Sequence, residues 1–317
     1  MLNSLCDVPG IRLGHAHDMI ARTGCTVILP DQPAITGVDV RGSAPGTREI
    51  ELLRPVRLVQ TIHGLLLTGG SAFGLDAAGG VQKYLEERGI GYDVGVTKVP
   101  IVPAAVIFDL AIGDAHVRPT ADMAYQACLS ASADEARQGA IGAGCGATIG
   151  KLRGMASSMP GGIGMASWRK ENLAIGALAV VNAFGDIVDQ HTGKILAGAK
   201  REDGSFIDTL AHLKAHPIAP FSPWSGNTTL VAVATNAAFN KEEVTKIAQM
   251  AQDGLARAIR PVHTPFDGDI VFALSVGAER ADVMAVGAIA AELVAEAIVN
   301  AVQEKEGKFS LLQFPMM

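Results

Sequence analysis

Aromatic side chains make up only 5% of this 317-residue chain and charged ones only 18%. No Lys/Arg run and no basic stripe interleaved with aromatics occurs, and the formal charge is −6, so nucleic acid is excluded as an expected partner. The four cysteines (Cys6, Cys25, Cys128, Cys145) are scattered and form no Cys-x-x-Cys pair, which argues against a disulfide scaffold and a thiolate zinc site. No Gly-x-Ser-x-Gly elbow accompanies the eight histidines, which are therefore expected to be structural. The Gly-Lys-Ser/Thr ending of a phosphate loop is missing after Gly69-Gly70-Ser71, leaving an anion at a helix start or close backbone packing near a substrate pocket. Met1 to Asp7 contain neither a basic nor an apolar signal region, so no secretory signal is expected and the cytoplasm is the expected location. The segment from Ala281 to Val302 is apolar but broken by Asp282, Glu292 and Glu296, which fits a packed helix better than a membrane span.

What is present is apolar and small. Hydrophobic residues reach 49% and glycine contributes 36 positions, enough for a large core whose layers approach closely. The length allows one large domain or two ordinary ones. Thr23 to Pro30 reads as a short buried strand stopped by proline, and Ile62 to Thr68 as a second apolar run. Ser71 is placed to cap a helix running to about Arg88, with Gly89 as its stop. Two prolines between Val99 and Leu110 predict an irregular loop entering a strand. Thr120 to Gln138 reads as a helix and Ala174 to Val181 as a buried strand. A long polar loop spans roughly Gln190 to Asn227. Beyond it come a strand (Thr228 to Thr235), a helix opened by the Asn240/Glu243 capping box and running to about Ile259, a strand (Asp269 to Val276) and a helix (Ala281 to Val302).

The segment Trp224-Ser225-Gly226-Asn227-Thr228-Thr229-Leu230 carries the chemistry, because a flexible loop ends at Asn-Thr where a buried-type strand begins. An N-terminal nucleophile requires that junction. A threonine hydroxyl attacks the preceding carbonyl, and water releases a chain whose first residue is that threonine. Its hydroxyl is then the nucleophile and its α-amine an adjacent base. A free α-amine has an ordinary pKa near ~7.7–8.0, which suits a general base. The bland alternative is a turn residue followed by a β-former. Asp267 and Asp269, two apart at a strand entrance, share a face if the chain is extended, though Asp-Gly is also turn chemistry. A divalent metal there is the weaker reading, because no clustered histidine or third carboxylate accompanies the pair, and none is expected.

Across nearly its whole length the chain resembles the DmpA-type aminopeptidase family, which includes β-peptidyl aminopeptidases and nylon-oligomer hydrolase. The resemblance runs through Asp7 to Gly14, Arg41-Gly42-Ser43-Ala44-Pro45-Gly46-Thr47-Arg48-Glu49, Leu67-Thr68-Gly69-Gly70-Ser71-Ala72-Phe73-Gly74, Val99 to Leu110, Val181-Asn182-Ala183-Phe184-Gly185 and Gly226 to Asn236. Many aminopeptidase members have Gly-Ser at the cleavage point. Asn227-Thr228 here is similar to the nylon-hydrolase branch. The resemblance implies an α/β fold, a four-layer αββα sandwich. It also implies self-cleavage between Asn227 and Thr228 into an α subunit (1–227) and a β subunit (228–317) sharing one core.

By the same resemblance Thr228 is the nucleophile, ahead of its neighbour Thr229, and Asn182 is the oxyanion donor. Lys151 lies near the nucleophile, and Asp267 and Asp269 hydrogen-bond around Thr228, orienting its amine and hydroxyl. The implied activity is hydrolysis of small amides or peptides with a free amino end, without a cofactor, in a homo-oligomer, commonly a tetramer. Two alternatives remain open: acyl transfer of the ornithine-acetyltransferase type, and a binding or assembly protein that never matures.

Overall fold

The structure, a computed structural model, describes residues 1–218 and 226–303. Two mixed sheets lie face to face. The first runs in the order Ile11–Asp18, Thr23–Pro30, Leu65–Thr68, Ala104–Val106, Thr47–Arg48. The second runs in the order Gly162–Lys170, Leu173–Asn182, Thr228–Ala237, Ile270–Glu279, Ala34–Val40, Thr61–Ile62.

Side-chain alternation divides the apolar material into three cores. Between the sheets, Leu13, Ile28, Leu67 and Ile107 meet Leu178, Val180, Leu230 and Phe272. Residues one step away in sequence, Val231, Val233 and Val271, face outward onto Val244, Ile247, Leu255, Val294 and Ile298 of the helices Lys241–Ala258 and Val283–Asn300. On the other side Cys25, Val27 and Leu66 pack against Val81, Leu85, Ala124 and Cys128 of Ala78–Glu86 and Ala121–Leu129. The result is helix, sheet, sheet, helix, the four-layer arrangement expected. Strands buried on both faces read as unbroken apolar runs, which is why Ala174 to Val181 and Thr228 to Thr235 stand out in the sequence.

The capping box forms as expected: Glu243 N–H donates to Asn240 Oδ1 and Asn240 N–H to Glu243 Oε2, both at 2.9 Å. Val283–Asn300 is long and apolar enough to cross a membrane by length and composition. Half of it is buried in the protein against the second sheet and the Lys241–Ala258 helix, and Asp282 caps its start.

Three expectations need correction. Ser71 caps nothing, since Gly70 takes a left-handed φ of 80° and a 3-10 segment, Ser71–Ala77, precedes the α-helix Ala78–Glu86. The predicted helix from Thr120 stops at Leu129 instead of Gln138. Ser130 Oγ donates back to Ala127 O at 3.0 Å, and Ser132 exchanges two backbone bonds with Leu13, so sheet pairing captures the chain. The long loop holds a short strand, Ile195–Ala197, and a helix, Thr209–Ala215, capped by Asp208. Trp224 and Ser225 lie outside the described residues.

The Thr228–Ala237 strand pairs antiparallel with Leu173–Asn182 on one side and parallel with Ile270–Glu279 on the other, and Ala34–Val40 flanks the latter. Chain from both sides of the Asn227–Thr228 bond thus interleaves in one sheet.

Candidate active site

Strand parity separates the two threonines. Leu230, Ala232 and Ala234 face the inter-sheet core and Val231 and Val233 the helix layer, so Thr228 turns toward the first and Thr229 toward the second. Asn182, cross-strand partner of Thr228, has the parity of Leu178 and Val180 and shares its face. Thr229 Oγ1 is buried with no hydrogen-bond partner among the described residues.

In the uncut chain Thr228 is 5% exposed. Its hydroxyl donates to the carbonyl oxygen of Asn227 at 2.5 Å. The backbone N–H of Gly268 donates to the same oxygen at 2.9 Å. A donor on a carbonyl oxygen draws electron density from its carbon and stabilises the oxyanion that attack creates. Glycine is required at 268 because a Cβ there would stand 2.8 Å from both Thr228 Oγ1 and Ala44 O. The Arg41 to Gly46 loop holds this turn: Ala44 N–H donates to Asp267 O at 2.9 Å and Arg41 N–H to Asp269 O at 3.1 Å.

Asn182 is fully buried at the end of its strand. Its Oδ1 accepts from Lys151 Nζ at 2.8 Å and from Thr148 N–H at 2.9 Å. Its Nδ2 donates to Phe108 O at 3.0 Å and Gly226 O at 3.5 Å, so in the continuous chain the amide hydrogens are already engaged. Lys151 also donates to Asn182 O at 3.1 Å and Gly226 O at 3.4 Å. Burial pulls its ammonium down to about 7, against the opposing pull of Asp267.

Asp267 and Asp269 do come close to one another. Burial, then the neighbouring Asp269 carboxylate, pushes Asp267 up to about 6. The expected bonds around Thr228 differ from those found. Asp269 Oδ1 accepts from the N–H of Thr229 at 2.7 Å, and Asp267 Oδ2 from Thr264 N–H at 2.6 Å. Among the described residues neither carboxylate bonds the Thr228 hydroxyl. Extended chain puts these side chains on the face opposite Gly268 and Thr228. The histidines are not all remote, because His263 Nδ1 lies 2.9 Å from Asp269 Oδ2.

A narrow cleft with room for little more than a water molecule opens beside this cluster, lined by Phe108, Asp109, Ile112, Thr148, Lys151 and Gly226 among others. The Gly69-Gly70-Ser71 turn braces its wall: Gly70 N–H donates to Asp109 Oδ1 at 2.7 Å, so the anion held there is the chain's own carboxylate. Gly268, Thr148 and His263 escaped sequence reasoning. The glycine between two aspartates was the only local signal; Thr148 meets the site through tertiary contact, and His263 through a turn that carries it back onto Asp269. Among the described residues no group of three or more His, Cys, Asp or Glu could hold a metal ion.

Residues 3–307 match the profile of peptidase family S58. An uncharacterized aminopeptidase of Mycobacterium tuberculosis (strain ATCC 25618 / H37Rv) is 43% identical over 95% of this chain and 94% of its own length. The 6-aminohexanoate-oligomer endohydrolase of Kocuria sp. (strain KY2) is 30% identical over 93% of this chain and 84% of its own. Among solved structures, the L-aminopeptidase D-Ala-esterase/amidase of Ochrobactrum anthropi, described as a variant of the Ntn hydrolase fold, matches with a TM-score of 0.72. That match covers 95% of this chain and 85% of the other at 18% identity, a likeness of fold.

Proposed function

This chain belongs to peptidase family S58 and is an amide-cleaving hydrolase, and from that premise we propose that it cuts itself between Asn227 and Thr228 and then works through Thr228. The observation that carries the reading is the shared oxygen: the Asn227 carbonyl receives both the Thr228 hydroxyl and the Gly268 N–H. Thr228 Oγ1 attacks the Asn227 carbonyl carbon, and the bond to the Thr228 nitrogen breaks to leave an ester. Water hydrolyses the ester, giving a carboxylate on Asn227 and a free α-amine on Thr228. Lys151 is held beside the cut by its bonds to Asn182 and to Gly226 O, and burial brings its ammonium down to about 7, so it is a nearby group able to exchange protons near neutrality.

After the cut, Thr228 is a chain terminus with its own amine as base. Departure of Gly226 releases Asn182 Nδ2 and Lys151 Nζ from that carbonyl, and Asn182 is then free to donate to the oxyanion of an incoming amide. The substrate is a small amide or peptide with a free amino end, its acyl group passing to Thr228 and then to water. The fragments 1–227 and 228–317 stay joined because their strands share one sheet, and the mature unit is expected to form a homo-oligomer in the cytoplasm.

Intact mass of the purified protein tests the reading. Two fragments summing to 32.8 kDa, with the second beginning at Thr228, are expected. Thr228→Ala should stay as one chain and lose activity by a factor on the order of 10⁴ or more. Thr229→Val should mature and turn over normally. Active wild-type protein in one unbroken piece would overturn the mechanism.

A further inference from the structure

A nucleophile that becomes a chain terminus loses its upstream restraint, and termini fray unless downstream contacts tie them down. Two contacts do so here. One is the cross-strand pairing of Thr228 with Asn182. The other is the 2.7 Å bond from Thr229 N–H to Asp269 Oδ1, just ahead of the first parallel pair, Leu230 with Ile270. The second works only if the Asp269 carboxylate is held in one orientation.

We propose that His263 is the positioning residue that holds it. Asp269 Oδ2 receives two bonds from this single residue, from the backbone N–H at 3.1 Å and from ring Nδ1 at 2.9 Å. With one oxygen occupied in this way, the other is left facing Thr229. Reaching the same oxygen with both groups requires the chain to fold back, and His263 takes a left-handed φ of 54° to do it. Non-glycine residues rarely adopt that conformation, which marks the turn as constrained by its contacts. The ring is engaged for this bond alone, since Nε2 is buried and has no partner among the described residues; a carboxylate oxygen accepts, so in this bond Nδ1 is the donor. Asp269 is itself 2% exposed, and losing the donor would leave a buried carboxylate oxygen short of a partner and free to rotate. His263 acts through Asp269 on the terminus, and the inference rests on Thr228 being the nucleophile.

The test uses purified full-length protein bearing His263→Gly, which keeps the left-handed backbone and removes the ring, and His263→Asn, which keeps both that backbone and a side-chain N–H donor. Intact mass gives the rate of the cut, and steady-state hydrolysis of an aminoacyl or ω-amino anilide gives kcat and KM. The glycine variant should lose up to about 100-fold in kcat with KM changed by less than about twofold, the signature of a misplaced reacting group. The asparagine variant should recover most of that loss. A glycine variant as fast as wild type, or an asparagine variant no faster than glycine, would overturn the assignment. If His263→Gly does not accumulate, His263→Asn against His263→Asp decides, because aspartate tolerates the backbone but offers no donor; equal kcat overturns the proposal. Failure of the premise reads differently, since wild-type protein would then be active without being cut.

Discussion

The Thr228–Ala237 strand is buried and polar at both ends, but the two ends use different chemistry. At the far end Thr235 Oγ1 donates to Ala174 O at 3.0 Å, and Asn236 accepts from Ala174 N–H at 2.8 Å and donates to Asn172 O at 2.7 Å. Ser275 on the neighbouring strand donates to Ala237 O at 2.6 Å. Each of these side chains is neutral and each partner is backbone. At the near end stand Lys151, Asp267 and Asp269, ionisable groups taken out of water, with two pKa values displaced toward neutrality. Neutral polar groups bonded to backbone close a sheet. Ionisable groups in the same burial become proton donors and acceptors near physiological pH, which is what a reacting centre needs.

The contrast breaks most sharply at Asn182. Asn182→Ala removes a side-chain donor that reaches Gly226 O, beside the proposed cut, and the 2.8 Å acceptor of Lys151. Turnover should fall by about 10²–10³, read as kcat in material whose cut is verified by mass. If the asparagine only terminates its strand, stability will drop and kcat will not.

A smaller and pH-dependent effect belongs to Lys151. In the unfolded chain this group holds its proton up to its ordinary 10.5, and in the fold only to about 7. Between those values the unfolded state binds more protons, so the stability set by this group rises with pH; below about 7 the full cost of burying an ammonium applies. Asp267, raised from 3.8 to about 6, acts in a separate and lower window, where stability falls as pH rises. Urea midpoints measured between pH 7 and 10 in a Thr228→Ala background should therefore climb for the parent relative to Lys151→Met. Parallel midpoints would mean that Lys151 is solvated.

The far end gives the mildest outcome for activity. Asn236→Ala strands the Ala174 N–H and should cost about 1–3 kcal/mol of stability. It should leave the cut and kcat as they are. A rate effect there would erase the distinction between the two ends.

Much of this molecule was legible residue by residue. Runs such as Ala174 to Val181 announced strands buried on both faces, and Asn240 with Glu243 announced a helix start, because alternation and capping are local physics. The helix from Thr120 was overextended because Ser132 leaves it to pair with Leu13, 119 positions earlier. The candidate site divides in the same way. Asn227-Thr228 at a loop–strand junction and the Asp267-Gly268-Asp269 triplet were visible as patterns, and the resemblance supplied Asn182 and Lys151. His263 lies only six positions before Asp269, yet an isolated histidine carries no local pattern that shows their contact.

Sequence alone decided where the deeply buried strands and the helix capped by Asn240 begin, and that a threonine opens one of those strands, since propensity, capping and period need only neighbours along the chain. The folded chain decided which of two adjacent threonines shares a face with Asn182, which backbone N–H meets the Asn227 carbonyl, and how far Lys151 and Asp267 depart from their ordinary pKa values. Those outcomes depend on desolvation and on distances between residues far apart in sequence, and neither exists until the layers have packed.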